Sequence, residues 1–285
     1  MQIPAHDVDA LMEGRHPDPF SVLGLHEEAG ALTVRAFVPG AQHVDVIDPK
    51  TDRVIVTLSE VRSGCGLFAA RVPRRRKRFA YLLRVSQDGH QWTMQDAYRF
   101  GPVMGELDEY LLGEGAHRQL WRALGAHVLT HEGVRGVHFA VWAPNAQRVS
   151  VVGDFNVWDG RRNPMRRRGA TGVWELFVPA LGEGDTYKYE IIGQDGSVLP
   201  QKADPVGFGA EHPPRTGSVV RDLTQYDWAD GPWMTRRAAA QRIDAPISIY
   251  EVHLGSWQRV LDQGNRPKSY AELAADLVAY VKDMG

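Results

Sequence analysis

At 285 residues the chain is long enough for two full domains and the remnant of a third. Hydrophobic residues make up 43% and charged residues 24%, which excludes a disordered or fibrous class, and a formal net charge of −2 argues against wholesale attraction to nucleic acid or an anionic membrane. The single cysteine, Cys65, excludes an intramolecular disulfide. The start carries His6, Asp7 and Asp9 rather than a basic and then apolar run, and no apolar stretch reaches membrane-spanning length. A soluble cytoplasmic protein is the simplest expectation.

Residues 1–106 read as short strands broken by turns, and they recur. Val34–Ile47, VRAFVPGAQHVDVI, returns about 105 positions later as Phe139–Val152, FAVWAPNAQRVSVV. Gly66–Pro73 matches Gly172–Pro179, Tyr81 meets Tyr187, Asp88-Gly89 meets Asp195-Gly196, and Asp96 and Phe100 meet Asp204 and Phe208. Matches in one order at nearly one offset indicate a duplicated domain. Pro39-Gly40, Pro144-Asn145 and the two Asp-Gly pairs supply turn chemistry, and Tyr187, Tyr189 and Ile191 alternate with Lys188 and Glu190 as in a half-buried strand. The expected fold is mainly β, two tandem immunoglobulin-like β-sandwiches.

Between the copies, residues 107–120 are expected as a helical linker. The second sandwich should occupy 121–230. A junction with Trp228, Trp233 and Arg236-Arg237 leads to a third segment at 244–285. There Ile247–Leu254 reads as a buried strand. Ser269 and Glu272 form an S-x-x-E capping box for a helix running to Met284, with Leu273, Leu277, Val281 and Met284 on one stripe and Gly285 at the C-cap. A strand and a crossover helix normally lead to a parallel strand beside the first, which does not follow.

Signatures for common chemistries are missing: GxSxG, CxxC, GxxxxGK[ST] and GxGxxG do not occur. His131-Glu132 with His138 has the wrong spacing for two zinc ligands on one helical turn, so no metal or cofactor is expected. The basic runs Arg71/Arg74–Arg78 and Arg161/Arg162/Arg166–Arg168 lack interleaved aromatics and read as solvated loops. More specific is Gly153-Asp-Phe-Asn-Val-Trp-Asp-Gly160. Its tight polar turn offers Trp158 beside Asn156, with Lys188 on the polar side of a later strand. An aromatic plate with amide and ammonium donors suits a sugar ring, which has an apolar C–H face and a hydroxyl edge. The plainer reading is that Trp158 folds onto the protein.

Several segments together resemble the N-terminal part of bacterial glycogen branching enzymes, the 1,4-α-glucan branching enzymes of the α-amylase superfamily. The resemblance rests on DPFSVLGLH (Asp18–His26), FAVWAPNAQRVSVVGDFNVWDGRRNPMR (Phe139–Arg166), GVWELFVP (Gly172–Pro179), KADP (Lys202–Pro205) and IYEVHLGSWQR (Ile249–Arg259). Asn163, where His is expected, and Val206, where an aromatic is common, depart from the pattern.

The resemblance implies an extra N-terminal β-sandwich domain, a family-48 carbohydrate-binding module, and from residue 244 the first strand and helix of a truncated (β/α)₈ barrel. It implies an enzyme, a retaining glycosyltransferase. Such an enzyme cuts an α-1,4-glucan and transfers the freed piece to a 6-hydroxyl, forming the α-1,6 branches of glycogen, with two carboxylates roughly 5 Å apart. Glu251, Asp262, Glu272, Asp276 and Asp283, the carboxylates after Pro246, match no catalytic motif of that family, so no catalytic residue is carried over and the chain is expected to be inactive alone. The implied partner is α-glucan, with neither nucleic acid nor membrane, and the whole enzyme is expected as a monomer. Two alternatives stand beside this: a stand-alone glucan-binding scaffold, and the N-terminal part of a debranching or trehalose-forming relative.

Overall fold

The computed structural model describes residues 3–28 and 30–284 and separates into two compact units, 1–225 and 226–285. The larger unit opens with α1 (Ala5–Met12), whose Val8 and Leu11 are buried. Seven strands follow: β1 (Gly24–Glu28), β2 (Ala31–Phe37), β3 (His43–Ile47), β4 (Val54–Glu60), β5 (Leu67–Arg71), β6 (Leu82–Gln87) and β7 (His90–Met94). All neighbours are antiparallel, in the order β1-β2-β5-β4-β3-β6-β7. Strand β4 is the corner: Val54–Leu58 pair with β3, while Ser59 and Glu60 pair with β5. The sheet folds there around Val34, Ala36, Val44, Val46, Phe68, Tyr81, Leu83 and Val85, all buried. Asp88 and Gly89 both take positive φ, +50° and +78°, at the tight turn between β6 and β7.

Helix α2 (Glu106–Gly113) and a 3₁₀ turn at Leu120–Arg122 lead into the second sandwich. Its strands are β8 (Gly125–His131), β9 (Val134–Trp142), β10 (Ala146–Gly153), β11 (Arg166–Arg168), β12 (Val173–Pro179), β13 (Thr186–Gly193) and β14 (Ser218–Val219). They form a four-stranded sheet, β11-β12-β9-β8, and a three-stranded sheet, β10-β13-β14. Val137, Phe139, Val141, Val149, Val151, Trp174, Leu176, Tyr187 and Tyr189 fill the space between them, and the same core reaches Val22, Leu23, Cys65, Leu67 and Tyr98 of the first half. The outer face of the four-stranded sheet is covered too, where Met104, Ala123 and Leu124 pack on Ala140 and Val173.

The smaller unit holds α3 (Gly231–Ala240), α4 (Leu254–Trp257), the two-residue strands β15 (Arg259–Val260) and β16 (Arg266–Pro267), and α5 (Tyr270–Met284). The capping box forms: Glu272 accepts the Ser269 N–H at 2.7 Å, and the Ser269 hydroxyl accepts the Glu272 N–H at 3.3 Å. The bonds from Arg266 and Ser269 bring the Glu272 carboxyl down to about 2. On the expected apolar stripe only Leu273 is buried, and Val281 and Met284 are exposed. Gly285, expected as the C-cap, lies outside the described residues.

The expected barrel strand at Ile247–Leu254 does not form. Residues up to His253 are irregular, Ile247 and Ile249 are exposed, and Leu254 opens α4. The reason is physical: a strand exists through its ladder, and none of the described residues pairs with this segment. No helix among the described residues is long and apolar enough to cross a membrane.

Candidate functional site

The GDFNVWDG turn grows out of β10. Val149 and Val151 point inward, and the strand ends at Gly153, where a Cβ would fall 2.4 Å from the Thr186 carbonyl of β13. A 3₁₀ turn, Asp154–Asn156, follows. Asn156 is buried and its amide is fully engaged. Its Oδ1 accepts the Gly153 N–H at 3.0 Å, and its Nδ2 donates to Val151 O at 2.9 Å and to Asn163 Oδ1 at 2.8 Å. It ties the two ends of the turn together and presents nothing outward.

Val157 and Trp158 then both take φ of +58°. Two successive left-handed non-glycine residues cost of order 1–3 kcal/mol each, more than a hydrogen bond or two at about 1 kcal/mol offsets. What the backbone achieves is the pose of Trp158. Its N–H donates to Gly153 O at 2.9 Å and its indole Nε1 donates to Asp154 Oδ1 at 2.8 Å, so the ring edge is tied while the ring stays partly exposed.

The turn closes over the outer face of β10 and β13. Arg148 is buried there, donating to Gly160 O at 2.9 Å and to Glu190 Oε1 at 2.7 Å, and the Ser150 hydroxyl donates to the same carbonyl at 2.6 Å. A Cβ on Gly160 would sit 1.9 Å from Glu190 Oε1, so a larger residue there would push the Glu190 carboxylate off Arg148. Burial would raise Asp159, but the hydrogen bonds from Arg161 outweigh it and hold its carboxyl below the ordinary range. Lys188 lies directly across β10 from Val152, one residue before the turn begins, and donates to Thr216 Oγ1 at 2.8 Å. No hydrogen bond links Lys188 to the turn among the described residues.

The two basic runs diverge. Arg71, Arg74, Arg76, Lys77 and Arg78 are exposed, as expected of a solvated turn. The second run is not a solvated loop throughout: Arg166–Arg168 is β11, paired with β12. Arg166 donates to Phe100 O at 2.6 Å, stacks 3.5 Å over the Phe20 ring, and is lowered by burial to about 10. Arg168 donates to Met104 O at 3.2 Å and faces Glu175 at 3.4 Å. Both are partly buried at the seam between the sandwiches, where the Phe100 and Met104 carbonyls accept from their guanidinium groups.

Glu175 anchors the seam. Its Oε2 accepts from the Val103 and Met104 N–H groups at 3.2 and 2.9 Å and contacts His138 Nε2 at 2.9 Å. Burial pushes this carboxyl up, but the His138 bond, the Met104 N–H and Arg168 together bring it below the usual value. His131 and Glu132 bond the carbonyl and N–H of Gly101 instead, so the histidines of this stretch serve the seam.

Sequence reading also left a second repeated device unremarked. Tyr81 donates to Asp96 at 2.5 Å, and Tyr187 and Tyr189 donate to Asp204 at 2.7 and 3.1 Å, all buried. His26 and His127 each contact the carbonyl three residues back, at 2.9 and 3.0 Å, beside Gly24 and Gly125 in matching positive-φ conformations. The shared string Leu-Gly-x-His at 23–26 and 124–127 was the available signal.

Comparison with known proteins places both sandwiches in described families. Residues 4–98 match the family described as alpha-1,4-glucan branching enzyme GlgB, N-terminal domain, and residues 123–207 match Carbohydrate-binding module 48 (Isoamylase N-terminal domain). Among relatives, the 1,4-alpha-glucan branching enzyme GlgB of Roseobacter denitrificans is 70% identical over 100% of this chain and 39% of its own length. That of Cereibacter sphaeroides is 54% identical over 99% and 38%, and that of Rhodospirillum rubrum 50% over 98% and 38%. Among solved structures, pullulanase complexed with maltotetraose from Anoxybacillus sp. LM18-11 is 18% identical, covering 82% of this chain and 29% of its own, with a TM-score of 0.31. The chain thus spans about two fifths of the length of the curated relatives it matches. By its two matched domains and its identity to these relatives from end to end, the chain belongs to the N-terminal region of the 1,4-alpha-glucan branching enzyme GlgB family.

Proposed function

We propose that this chain is the glucan-handling front part of a branching enzyme. The whole enzyme cleaves α-1,4-glucan and re-attaches the freed piece through an α-1,6 bond, in the cytoplasm, as a monomer, with no nucleic-acid or membrane partner. The domains we assign are 1–106, the linker 107–120, the binding module 121–230, and a piece of the catalytic domain from 244. The observation that carries the reading is the pose of Trp158: a partly exposed ring held on strained backbone at the end of a rigid strand, inside the segment matched to a carbohydrate-binding module. Trp158 supplies the apolar plate, Lys188 a donor at the neighbouring edge, and Asn156 acts by holding the turn.

None of the carboxylates after Pro246 takes a catalytic role in this reading. Glu272 serves the α5 cap and Arg266, and Asp276 pairs with Lys268. Retaining transfer needs two facing carboxylates, so the isolated chain binds glucan without branching it.

Stacking one sugar on one ring gains about 25 cal/mol per Å² buried, which places maltoheptaose binding in the millimolar range. Titration of maltoheptaose into the unchanged chain and into Trp158→Ala tests this, with clearly weaker binding expected in the variant. Equal binding by both, or none by either, overturns the proposal. Branching of amylose by the purified chain, read by iodine staining, would overturn the expectation of inactivity.

A further inference from the structure

A groove of about 570 Å³ runs along the seam between the two sandwiches, within the range of roughly 300–1,000 Å³ typical of ligand sites. One wall is β7, the edge strand of the first sandwich. Trp92 and Met94 sit opposite Val85 and Leu83, so they continue the inward face of the sheet. Yet they are 37% and 39% exposed while Val85 and Leu83 are buried, because the sheet ends there and the opposing wall stands back. The other wall includes Phe155, Arg162 and Asn163, which belong to the excursion between β10 and β11 that also carries Trp158.

The polar groups on this lining keep hydrogen-bonding capacity. The Arg162 guanidinium makes no side-chain hydrogen bond among the described residues; its nearest acid, Asp159, lies 3.7 Å from Nε, which is buried and unpartnered. Asn163 spends its Oδ1 on Asn156, and Gln95 spends its Oε1 on Arg99, so the Nδ2 of one and the Nε2 of the other remain as donors. An indole plate flanked by guanidinium and amide donors matches a sugar, whose ring face is apolar and whose edge is hydroxylated. It does not match an apolar peptide, which would leave those donors unpaired.

We propose that this groove is a second α-glucan site, built by both sandwiches, with Trp92 as its stacking platform and Arg162 and Asn163 as hydroxyl donors. It receives the continuation of a glucan that contacts Trp158 on the same excursion, and gives the first sandwich a direct part in binding. This rests on the α-glucan reading of the Trp158 turn.

The test is a maltoheptaose titration of the 285-residue chain followed by the ¹⁵N-indole NMR signals, with Trp92 and Trp158 assigned by Trp→Phe replacement. The Trp92 and Trp158 signals are both expected to shift and saturate. Trp92→Ala and Arg162→Gln are each expected to weaken binding about five-fold, the size of one lost ring contact or charged donor. In Trp158→Ala the Trp92 signal should still move, at higher ligand concentration. A Trp158 signal that shifts while that of Trp92 stays fixed overturns the groove and leaves the first reading standing. If neither moves, both fall. Arg162→Gln keeps the question open to refutation if Trp92→Ala does not fold, since unchanged affinity in that variant also overturns the groove.

Discussion

The two sandwiches share the wiring of their first six strands and differ most at one corner. In the first, β1-β2-β5-β4 continues into β3-β6; in the second, β8-β9-β12-β11 has the same order beside β10-β13, while the edge strands β7 and β14 are not counterparts, since β7 precedes Asp96 and β14 follows Asp204. Between β3 and β4 the chain turns in six residues, 48–53, and β4 pairs with β3 along Val44–Ile47, so the sheet is continuous. Between β10 and β11 it spends twelve, 154–165, and among the described residues only a bridge from Ser150 to Pro164 joins the two sheets. The longer path holds Trp158, and its cost is a broken sheet, with β11 cut to three residues. The first copy closes its corner; the copy that carries Trp158 opens it. Loops carried by a rigid scaffold are where binding groups can be added without disturbing a core.

The sharpest way to break this comparison is at the seam joining the copies. Glu175→Ala leaves His138, Arg168 and two N–H groups without their acceptor, and should cost about 3–5 kcal/mol in urea unfolding. The Glu175 carboxyl lies below its ordinary 4.5 in the folded protein, so its stabilisation is present above that value and is lost as pH falls through the folded one. Acid below about pH 4.5 should therefore loosen the seam, and Glu175→Gln should flatten that dependence. An unchanged urea midpoint in Glu175→Ala would show that the seam is held elsewhere.

Next come the paired glycines. Gly24 and Gly125 have φ of +94° and +99°, but an added Cβ would meet the Tyr98 carbonyl at 2.4 Å in one and the Val206 carbonyl at 3.0 Å in the other. Alanine should cost about 1–3 kcal/mol at either from backbone strain, and about 1 kcal/mol more at Gly24. Equal losses would mean that the copies are interchangeable there.

The tyrosine–aspartate pairs give a finer test. Tyr81→Phe removes the one tyrosine bond to Asp96 and should cost about 1.5–3 kcal/mol, whereas Tyr187→Phe should cost less because Tyr189 still serves Asp204. Burial raises both carboxyls, so their contribution is present below the ordinary 3.8 and is lost as pH rises through the folded values. Thermal melts of Asp204→Asn beside the unchanged protein should accordingly diverge further as pH falls. The smallest change expected is in stability of Trp158→Ala, under about 1 kcal/mol for a partly exposed ring, with glucan binding clearly weakened. A large loss of stability there would mark Trp158 as a packing residue.

Much of this was legible because it is local. The recurring Tyr, Asp and Pro-x-Ala-Gln positions set two copies in register, and the strands came from alternation and turn residues. The cap on α5 followed from two side chains three residues apart. Asn156, Arg166 and Arg168 were misjudged for the opposite reason. A polar residue in a turn or basic run reads as exposed, yet Asn156 is closed in by Val151 and Asn163, and Arg166 meets Phe100, 66 residues away. Leu-Gly-x-His was missed because a four-residue match carries little weight until both glycines are seen under a distant carbonyl.

The amino-acid order by itself determined the strand sequence, the duplication, and the tight turns, because those depend on side-chain alternation and on residues within a few positions of one another. Tertiary structure decided which polar groups are spent inside the protein and which remain for a ligand. Glu175 and His138 face each other across paired strands, 37 residues apart, and the groove beside Trp92 exists only because two sandwiches meet. It also decided the fate of Ile247–Leu254. Its side chains carry the pattern of a buried strand, but a ladder needs a second backbone, and no local signal supplies one.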